Sequence, residues 1–432
     1  MNRRVVVTGL GVISPLGNTV KENWKYLTEG KSGISPMAAL PSPSFPVKTA
    51  GEIKHFKPAD YGIQTKSLKL MNTTIQYAIA ASSLAVEDAK ISPNAYPARE
   101  IGLSFGVNGI QYTAEELLIA SYEAVDKDLR NYMSGEDMTA GAPIKTKDPD
   151  LAVHPLWPLS VLANMSLCHI AIHHNFQGPN AAFSSIDAAG SQAIGEAYKA
   201  IRQGTGDIYV AGGGYALNTI DILSLSSMDL LAKNQEAVRP FDRLRHGCVL
   251  GEGCAVLVLE ELSQARKRHA PIYAEIAGYG SYFNGAAAFY DTGNEASDCQ
   301  AMKECMLTAL SDASIDPSAV EYINADGKGT LHSDVNEAQA VQHVFGREVP
   351  VSTSKPLTGH MLSANGAFQA LSTVLSLKES LIPPTINCTD QDPQCDIAVA
   401  KNTLKKQMKY AISNTFGFSG EHTSLLFKYY DQ

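Results

Sequence analysis

A strand-like run containing the pattern Gly-x-Gly occurs twice in this chain, and it constrains the fold more than any other feature. The first copy runs from Val5 to Gly11, and Ile272 to Gly280 repeats the arrangement. Short β-rich runs alternate with helical patterns after each copy, for example at 207–212 and 255–259. Such alternation favours an α/β fold, and two similar openings favour two copies of one unit. We therefore predict a duplicated α/β protein with halves at residues 1–262 and 263–432.

The first Gly-x-Gly pattern predicts a strand that ends in a glycine turn. Gly9 and Gly11 follow the β-branched run that begins at Val5. A dinucleotide-binding turn would need a third glycine and then a helix. Ser14 occupies the position of that glycine and Pro15 follows it, so the residues disfavour nucleotide binding at this turn.

The segment from Gly178 to Ser191 is typical of a strand, a tight turn and a helix. Asp187 occupies the turn and directly precedes a predicted helix at 188–202. The inner face of this helix carries Ile194, Ala197, Tyr198 and Ile201. A turn of this kind often presents a nucleophile, but Asp187 also suits the N-cap of the helix, where it would stabilise the helix by about 1 kcal/mol.

Composition excludes several classes of protein. The 432 residues have average apolar and charged fractions, as expected for a soluble globular protein. No apolar run reaches the ~20 residues of a membrane span, and the N-terminus lacks a signal-peptide pattern, so we expect a cytoplasmic location. The net charge of −9 disfavours a nucleic-acid partner. Seven cysteines without paired C-x-x-C spacing fit reduced thiols better than disulfides or a metal site.

Four motifs together make the chain similar to one enzyme family. They are VTGLGVISPLG at 7–17, RPFD with LGEG at 239–253, SKPLTGH at 354–360 and NTFGFSG at 414–420. In this combination the chain resembles the β-ketoacyl-acyl-carrier-protein synthases over nearly its whole length. The resemblance implies a thiolase-like fold, with two duplicated βαβ halves in an αβαβα layered arrangement.

The resemblance also implies a chemistry that this chain lacks in part. In the family, a cysteine thiolate at a helix N-terminus accepts the acyl chain, and two histidines stabilise charge on the malonyl thioester. Asp187 falls at the cysteine position and Asp326 at that of the first histidine, whereas His360 and the family's Lys355 are retained. An aspartate is a poor acyl acceptor, and Asp326 would place a negative charge beside the oxyanion. We therefore expect no condensation by this chain alone.

Structural interpretations of the same residues stay open beside the chemical ones. Asp326 would serve equally as the ionic partner of Lys355, Lys328 or a protonated His360. His360 fits a hydrogen-bonded core histidine, and Lys355 fits a structural ion pair. The family uses no bound cofactor, since its acyl chains arrive on the phosphopantetheine arm of a carrier protein, and we expect none here.

The loss of the cysteine is similar to that in the chain-length factors of type II polyketide synthases. Such a subunit pairs with a cysteine-bearing ketosynthase and shapes the interface tunnel for the growing polyketide, whose class (aromatic polyketide or polyene) the scaffold does not distinguish. The resemblance assigns Val107, Tyr112, Leu117 and the gating Phe418 to this tunnel, with core packing as the alternative for Tyr112. It implies a heterodimer visited by an acidic acyl carrier protein. A docking face for it could include Lys66, Lys69, Arg239, Arg243 and Arg245, although scattered solvated charges are the favoured interpretation of these residues.

Two other functions are compatible with these observations. One is an altered enzyme, a decarboxylase or a hydrolase, that acts through Asp187 and His360. The other is a homodimeric protein that binds acyl chains. The strand predicted before Asp187 is expected to pair across a dimer axis, and its main-chain hydrogen bonds would support a homodimer or a heterodimer equally well.

Overall fold

The computed structural model describes residues 3–38, 45–91, 95–109, 156–232, 237–285 and 295–431. Most strands of this part of the chain join one 11-stranded mixed sheet, and two further pairs of strands lie outside it. The strands are β1 (Val5–Ile13), β2 (Ile34–Pro36), β3 (Thr49–Gly51), β4 (Ile101–Val107), β5 (Asn180–Ser184), β6 (Ile208–Tyr215), β7 (Gly253–Glu261), β8 (Ala274–Phe283), β9 (Tyr322–Asn324), β10 (Pro350–Ser352), β11 (Leu381–Ile382), β12 (Ala398–Val399), β13 (Leu404–Lys405), β14 (Tyr410–Phe416) and β15 (Glu421–Tyr429).

Helices cover the sheet and separate its two halves. The α-helices of the described residues are α1 (Val20–Thr28), α2 (Thr73–Asp88), α3 (Pro158–Val161), α4 (Met165–His174), α5 (Ala189–Gln203), α6 (Thr219–Ser227), α7 (Leu262–Lys267), α8 (Glu295–Ala313), α9 (Leu331–Phe345), α10 (Lys355–Thr358) and α11 (Asn365–Glu379). Short 3₁₀ helices lie at Pro58–Tyr61, Thr65–Leu70, Ala98–Glu100, Pro317–Ala319 and Leu362–Ala364.

The order of the strands confirms the predicted duplication. The large sheet runs β5-β4-β6-β7-β1 and continues β8-β15-β14-β9-β10-β12. In the first half β4 is parallel to β5 and β6, and in the second half β9 is parallel to β10 and β14. At the edge of the second half β12 is parallel to β10, and the remaining neighbours within each half are antiparallel. The halves join where β1 pairs with β8, with Val5 opposite Ile276.

The repeated Gly-x-Gly pattern serves helix packing, and the prediction of a glycine turn was wrong. Gly9 and Gly11 lie inside β1, where a Cβ atom on either would collide with backbone oxygens of α2. Gly278 and Gly280 lie inside β8, where a Cβ atom would collide in the same way with α8. The pattern therefore recurs because in each half one helix packs closely against the first strand.

Two helices form the central layer on which the candidate site is built. α5 and α11 pack against each other and against strands of both halves, while α2 and α8 cover the outer faces. In α11 every residue from Asn365 to Leu377 is buried, as expected for a helix enclosed between two sheets. α5 begins one residue after the predicted start, and its predicted inner face is buried. The αβαβα arrangement of a thiolase-like fold is thus confirmed.

Two findings concern the cysteines and the helices. All seven cysteines are unpaired thiols, in agreement with the expectation from their spacing. Across the described ranges, every helix is too short or too polar to cross a membrane.

Candidate functional site

Loops from both halves bring the predicted site residues together at the end of the central helix α5. Asp187 lies in the turn between β5 and α5, and Asp326 follows β9. His360 comes shortly after α10, and Phe418 lies between β14 and β15. The side chains of Asp187, Asp326 and His360 are fully buried.

Both carboxylate oxygens of Asp187 are occupied by groups from the second half of the chain. Oδ1 lies 2.5 Å from Nε2 of His360. Oδ2 accepts a hydrogen bond of 2.7 Å from the backbone N–H of Phe418. The backbone N–H of Asp187 donates in turn to Oε1 of Glu421, at 3.1 Å.

The N-cap interpretation of Asp187 is therefore wrong. The residue at the cap of α5 is Ala188, and no side chain caps the first turn. Because His360 and Phe418 hold the two oxygens of Asp187, its carboxylate is directed across the site instead of back to its own helix. The residue makes a tertiary contact between the two halves, which the local sequence does not reveal.

Asp187 is an ionised carboxylate despite its burial. Burial opposes ionisation, but the charge of Lys328 and the hydrogen bonds from His360 and Phe418 outweigh it and hold the pKa of Asp187 well below its usual range. Burial also lowers the pKa of His360, although the negative charge of Asp187 acts in the opposite direction. The lowered pKa favours a neutral ring. Such a ring donates its Nε2 hydrogen to Asp187, and its buried Nδ1 has no hydrogen-bond partner within the described part of the chain. The Nε2 donor of His360 is thus already in use.

Asp326 lies between two buried lysines. Its Oδ1 is 2.7 Å from Nζ of Lys355, and its Oδ2 is 3.1 Å from Nζ of Lys328. All three side chains are at most 1% exposed. The expected ionic partnership of Asp326 with Lys355 and Lys328 is confirmed. The negative charge expected at this position is balanced by the two lysines.

A further buried acid, Glu337, fixes the loop that carries Asp326. Its Oε1 accepts from the N–H of Asp326 at 2.8 Å, and its Oε2 accepts from the N–H of Gly327 at 2.7 Å. Burial, followed by the nearby charge of Asp326, raises the pKa of Glu337 to about 8. The sequence analysis missed this residue, because an acid on helix α9 shows no local sign of bonding to a loop ten residues earlier.

Phe418 closes the site on one side. Nζ of Lys328 lies 4.2 Å from the centre of its ring, within the range of a cation–π contact. The ring of His360 meets it edge-on, with 5.7 Å between the ring centres. Together with the bond from its N–H to Asp187, these contacts fix Phe418 in one position.

A pocket of about 110 Å³ adjoins Phe418. Six of the side chains that line it are Asn108, Ile186, Asp221, Leu225, Leu362 and Phe418. Val107, another predicted tunnel residue, is buried at the end of β4. Tyr112 and Leu117 lie outside the described residues. Their assignment to a tunnel stays a prediction.

A buried cysteine lies near Asp187. Cys248 lies close enough for Asp187, Lys328 and Lys355 to affect its ionisation. Its pKa is raised to about 12, chiefly by burial, so it is a neutral thiol. Groups of three or more histidine, cysteine, aspartate or glutamate side chains with metal-binding geometry do not occur among the described residues.

One of the basic residues predicted for carrier-protein docking is inside the protein. Arg245 is 4% exposed, and its guanidinium donates to Oδ2 of Asp392 at 2.7 Å. It also donates to backbone oxygens of Thr330 and Leu331, so it holds the start of α9 in place. Lys66, Lys69 and Arg243 are exposed, and Arg239 is partly exposed. Any docking face must be built without Arg245.

The fold and the convergent loops are those of a ketosynthase. The chain matches the model of the N-terminal domain of β-ketoacyl synthases over residues 2–265 and that of the C-terminal domain over residues 273–389. It therefore belongs to the β-ketoacyl synthase family.

Known relatives resemble the chain over its whole length. It is 34% identical to "3-oxoacyl-[acyl-carrier-protein] synthase 2" of Staphylococcus aureus (strain COL), covering 100% of this chain and 99% of the relative. The protein of the same name from Vibrio harveyi is 36% identical, with 99% and 98% covered.

Solved structures give the same fold. "The ishigamide ketosynthase/chain length factor" superposes with a TM-score of 0.87 at 28% identity, covering 100% of both chains. A type II polyketide synthase acyl-carrier protein in complex with its ketosynthase gives a TM-score of 0.83 at 29% identity, again covering 100% of both chains.

Proposed function

We propose that this chain is the non-catalytic chain-length-factor subunit of a type II polyketide ketosynthase. In this role it pairs with a cysteine-bearing ketosynthase and shapes the tunnel for a growing polyketide, either an aromatic polyketide or a polyene. The observation that carries the proposal is the state of Asp187. The group at the family's nucleophile position is a buried carboxylate with both oxygens engaged.

Acyl transfer to this turn is unfavourable for two reasons. A carboxylate is a weak nucleophile for a thioester, and the mixed anhydride that it would form hydrolyses readily. Asp187 would also have to give up its bonds to His360 and to the N–H of Phe418 inside the core, where unpaired polar groups are costly. The same facts argue against a decarboxylase or a hydrolase that acts through Asp187.

Stabilisation of a malonyl oxyanion is impaired as well. The family's two histidine positions hold Asp326 and His360. Asp326 has no hydrogen to donate, and the Nε2 hydrogen of His360 is directed at Asp187. Loss of one such donor typically lowers the rate by a factor of ~10²–10³. The scaffold of the site is retained, but the nucleophile is replaced and neither histidine position offers a free donor.

An exposed strand edge supports assembly with a partner. In the part of the chain that the structure describes, β5 pairs with β4 alone and forms the end of the large sheet. Its residues Asn180, Ala181, Ala182 and Ser184 are exposed. Main-chain groups on such an edge can pair with a strand of a second subunit. The likeness to a ketosynthase/chain length factor structure favours a homologous ketosynthase as that subunit.

The remaining parts of the proposal follow from the assembly. An acyl carrier protein would deliver chains to the active partner, and no cofactor would be bound by this chain.

The relatives named as synthases do not separate a catalytic from a non-catalytic subunit at 34–36% identity. The distinction rests on Asp187 and Asp326.

The test compares the purified chain alone, a cysteine-bearing ketosynthase alone and the two together. Each sample receives acyl and malonyl groups on an acyl carrier protein, and mass spectrometry follows chain elongation. We expect full elongation only from the pair, and none when the partner's nucleophilic cysteine is replaced by alanine. Elongation by this chain alone, or by a pair without that cysteine, would contradict the proposed function.

A further inference from the structure

A carboxylate lies in the wall of the mainly apolar pocket beside Phe418. Among the described residues that line this pocket, only Asp221 carries a charge. It belongs to the first turn of α6 and faces a cavity whose walls include Ile186, Leu225 and Leu362. A carboxylate in such a setting destabilises an apolar ligand, because the ligand removes water without replacing its hydrogen bonds.

The position of Asp221 is fixed by its neighbours. Nδ2 of Asn108 donates to Oδ2 of Asp221 at 3.1 Å. Oδ1 of Asn108 accepts from the N–H of Gly109, also at 3.1 Å, so the amide cannot turn its oxygen towards the acid without losing that bond. Burial raises the pKa of Asp221, while the neighbouring side chains of Tyr215 and Asn108 act in the opposite direction. Because a carboxylate offers about four acceptor sites, Asp221 keeps acceptor capacity for a ligand.

The dimensions of the pocket limit what it can hold. Its volume of about 110 Å³ is below the ~300–1,000 Å³ of pockets that enclose a whole ligand. It therefore fits one end or a short segment of a chain. Ile186, next to Asp187 in sequence, and Phe418, bonded to Asp187, place one wall of the pocket at the family's acyl site.

We propose that Asp221 is a specificity-determining residue, which makes the pocket prefer an acyl chain whose far end carries an O–H group, as a hydroxyl or an enol. An alkyl end of the same length would cover the carboxylate without a hydrogen bond, whereas an O–H end would donate to it. A site built to bond a hydroxyl discriminates strongly against the analogue that lacks it. This inference rests on the proposed function, because it assumes that the pocket receives the chain elongated by the partner.

The experiment uses the reconstituted pair and two carrier-protein-linked starters of equal length, one ending in a methyl group and the other in a terminal hydroxyl. We expect kcat/KM to favour the hydroxyl chain by about tenfold, which corresponds to one hydrogen bond to a charged group. Asp221→Leu should abolish or reverse the preference. Asp221→Asn, which keeps one acceptor oxygen, should retain part of it. Glu348→Gln changes an exposed acid outside the pocket and should leave the ratio unchanged.

A second measurement keeps the two proposals separable. Equilibrium binding of the same chains as pantetheine thioesters to the purified pair should show the same preference without any elongation. Equal use and equal binding of the two chains by the wild-type pair would overturn the role of Asp221, as would an unchanged ratio in both Asp221 variants. Elongation by this chain alone would overturn the proposed function, while the binding ratio would still decide the role of Asp221.

Discussion

Replacement of Asp326 by asparagine should destabilise the protein strongly, although the side chain keeps its size. Asp326 is the carboxylate shared by Lys328 and Lys355, at 3.1 and 2.7 Å. Both lysines are at most 1% exposed, so neither can recover hydration without local unfolding. The variant leaves two buried cations beside an amide that carries no charge.

The size of the effect follows from this geometry. Removal of one partner from a buried ion pair typically lowers the free energy of unfolding by ~3–5 kcal/mol. We expect a loss in this range, measured by urea unfolding of the purified protein with circular dichroism as the signal. The double variant Asp326→Asn/Lys328→Met should recover part of the loss, because it removes one of the unpaired cations.

A matched control comes from the protein surface. Asp396 lies 3.0 Å from Arg347, with side chains 53% and 63% exposed. Asp396→Asn should lower the free energy of unfolding by only ~0–1 kcal/mol, as for other exposed pairs. If Asp326→Asn cost no more than Asp396→Asn, the network around Asp326 would not have the stabilising role that its geometry indicates.

Two further predictions concern the site. Asp187→Asn should leave elongation by the reconstituted pair within about twofold of wild type, because the amide oxygen can still accept from Phe418 and the proposed function assigns no chemistry to the carboxylate; loss of product would show that the carboxylate takes part. The pKa of Glu337, about 8 in the folded protein, lies above the ~4.3 expected in the unfolded chain, so the folded state binds more protons between about pH 5 and 8. The free energy of unfolding should therefore fall as the pH rises through this range. Glu337→Gln should flatten that slope in urea unfolding followed across this pH range, and an unchanged slope would refute the assignment.

The sequence was informative wherever local pattern and fold agree. Alternating runs predicted the duplicated α/β architecture, and helical spacing located α5 to within one residue. The resemblance of the motifs assigned Asp187 and His360 to catalytic positions and Phe418 to the gate, and these three residues contact one another in the structure. Such features depend on short-range periodicity or on motifs that keep their order.

Features that depend on contacts between distant segments were not visible. The local sequence predicted a turn at Gly9 and Gly11. The helix that excludes side chains at these positions, α2, lies about 70 residues later in the chain. Asp187 read as an N-cap because its partners lie in the second half of the chain. The sequence placed Arg245 among the surface cations, but the start of α9 and Asp392 enclose its side chain.

The most direct test of the account is whether Asp187 can be acylated in the chain by itself. Purified protein, free of any ketosynthase partner, would be incubated with an acyl group on its carrier protein and examined by mass spectrometry of the intact chain and of the peptide that carries Asp187. We predict that the mass of the chain does not change, while a cysteine-bearing ketosynthase gains one acyl group under the same conditions. An acyl group found on Asp187, followed by its extension with malonyl units, would contradict the proposal that this chain has no condensing chemistry of its own.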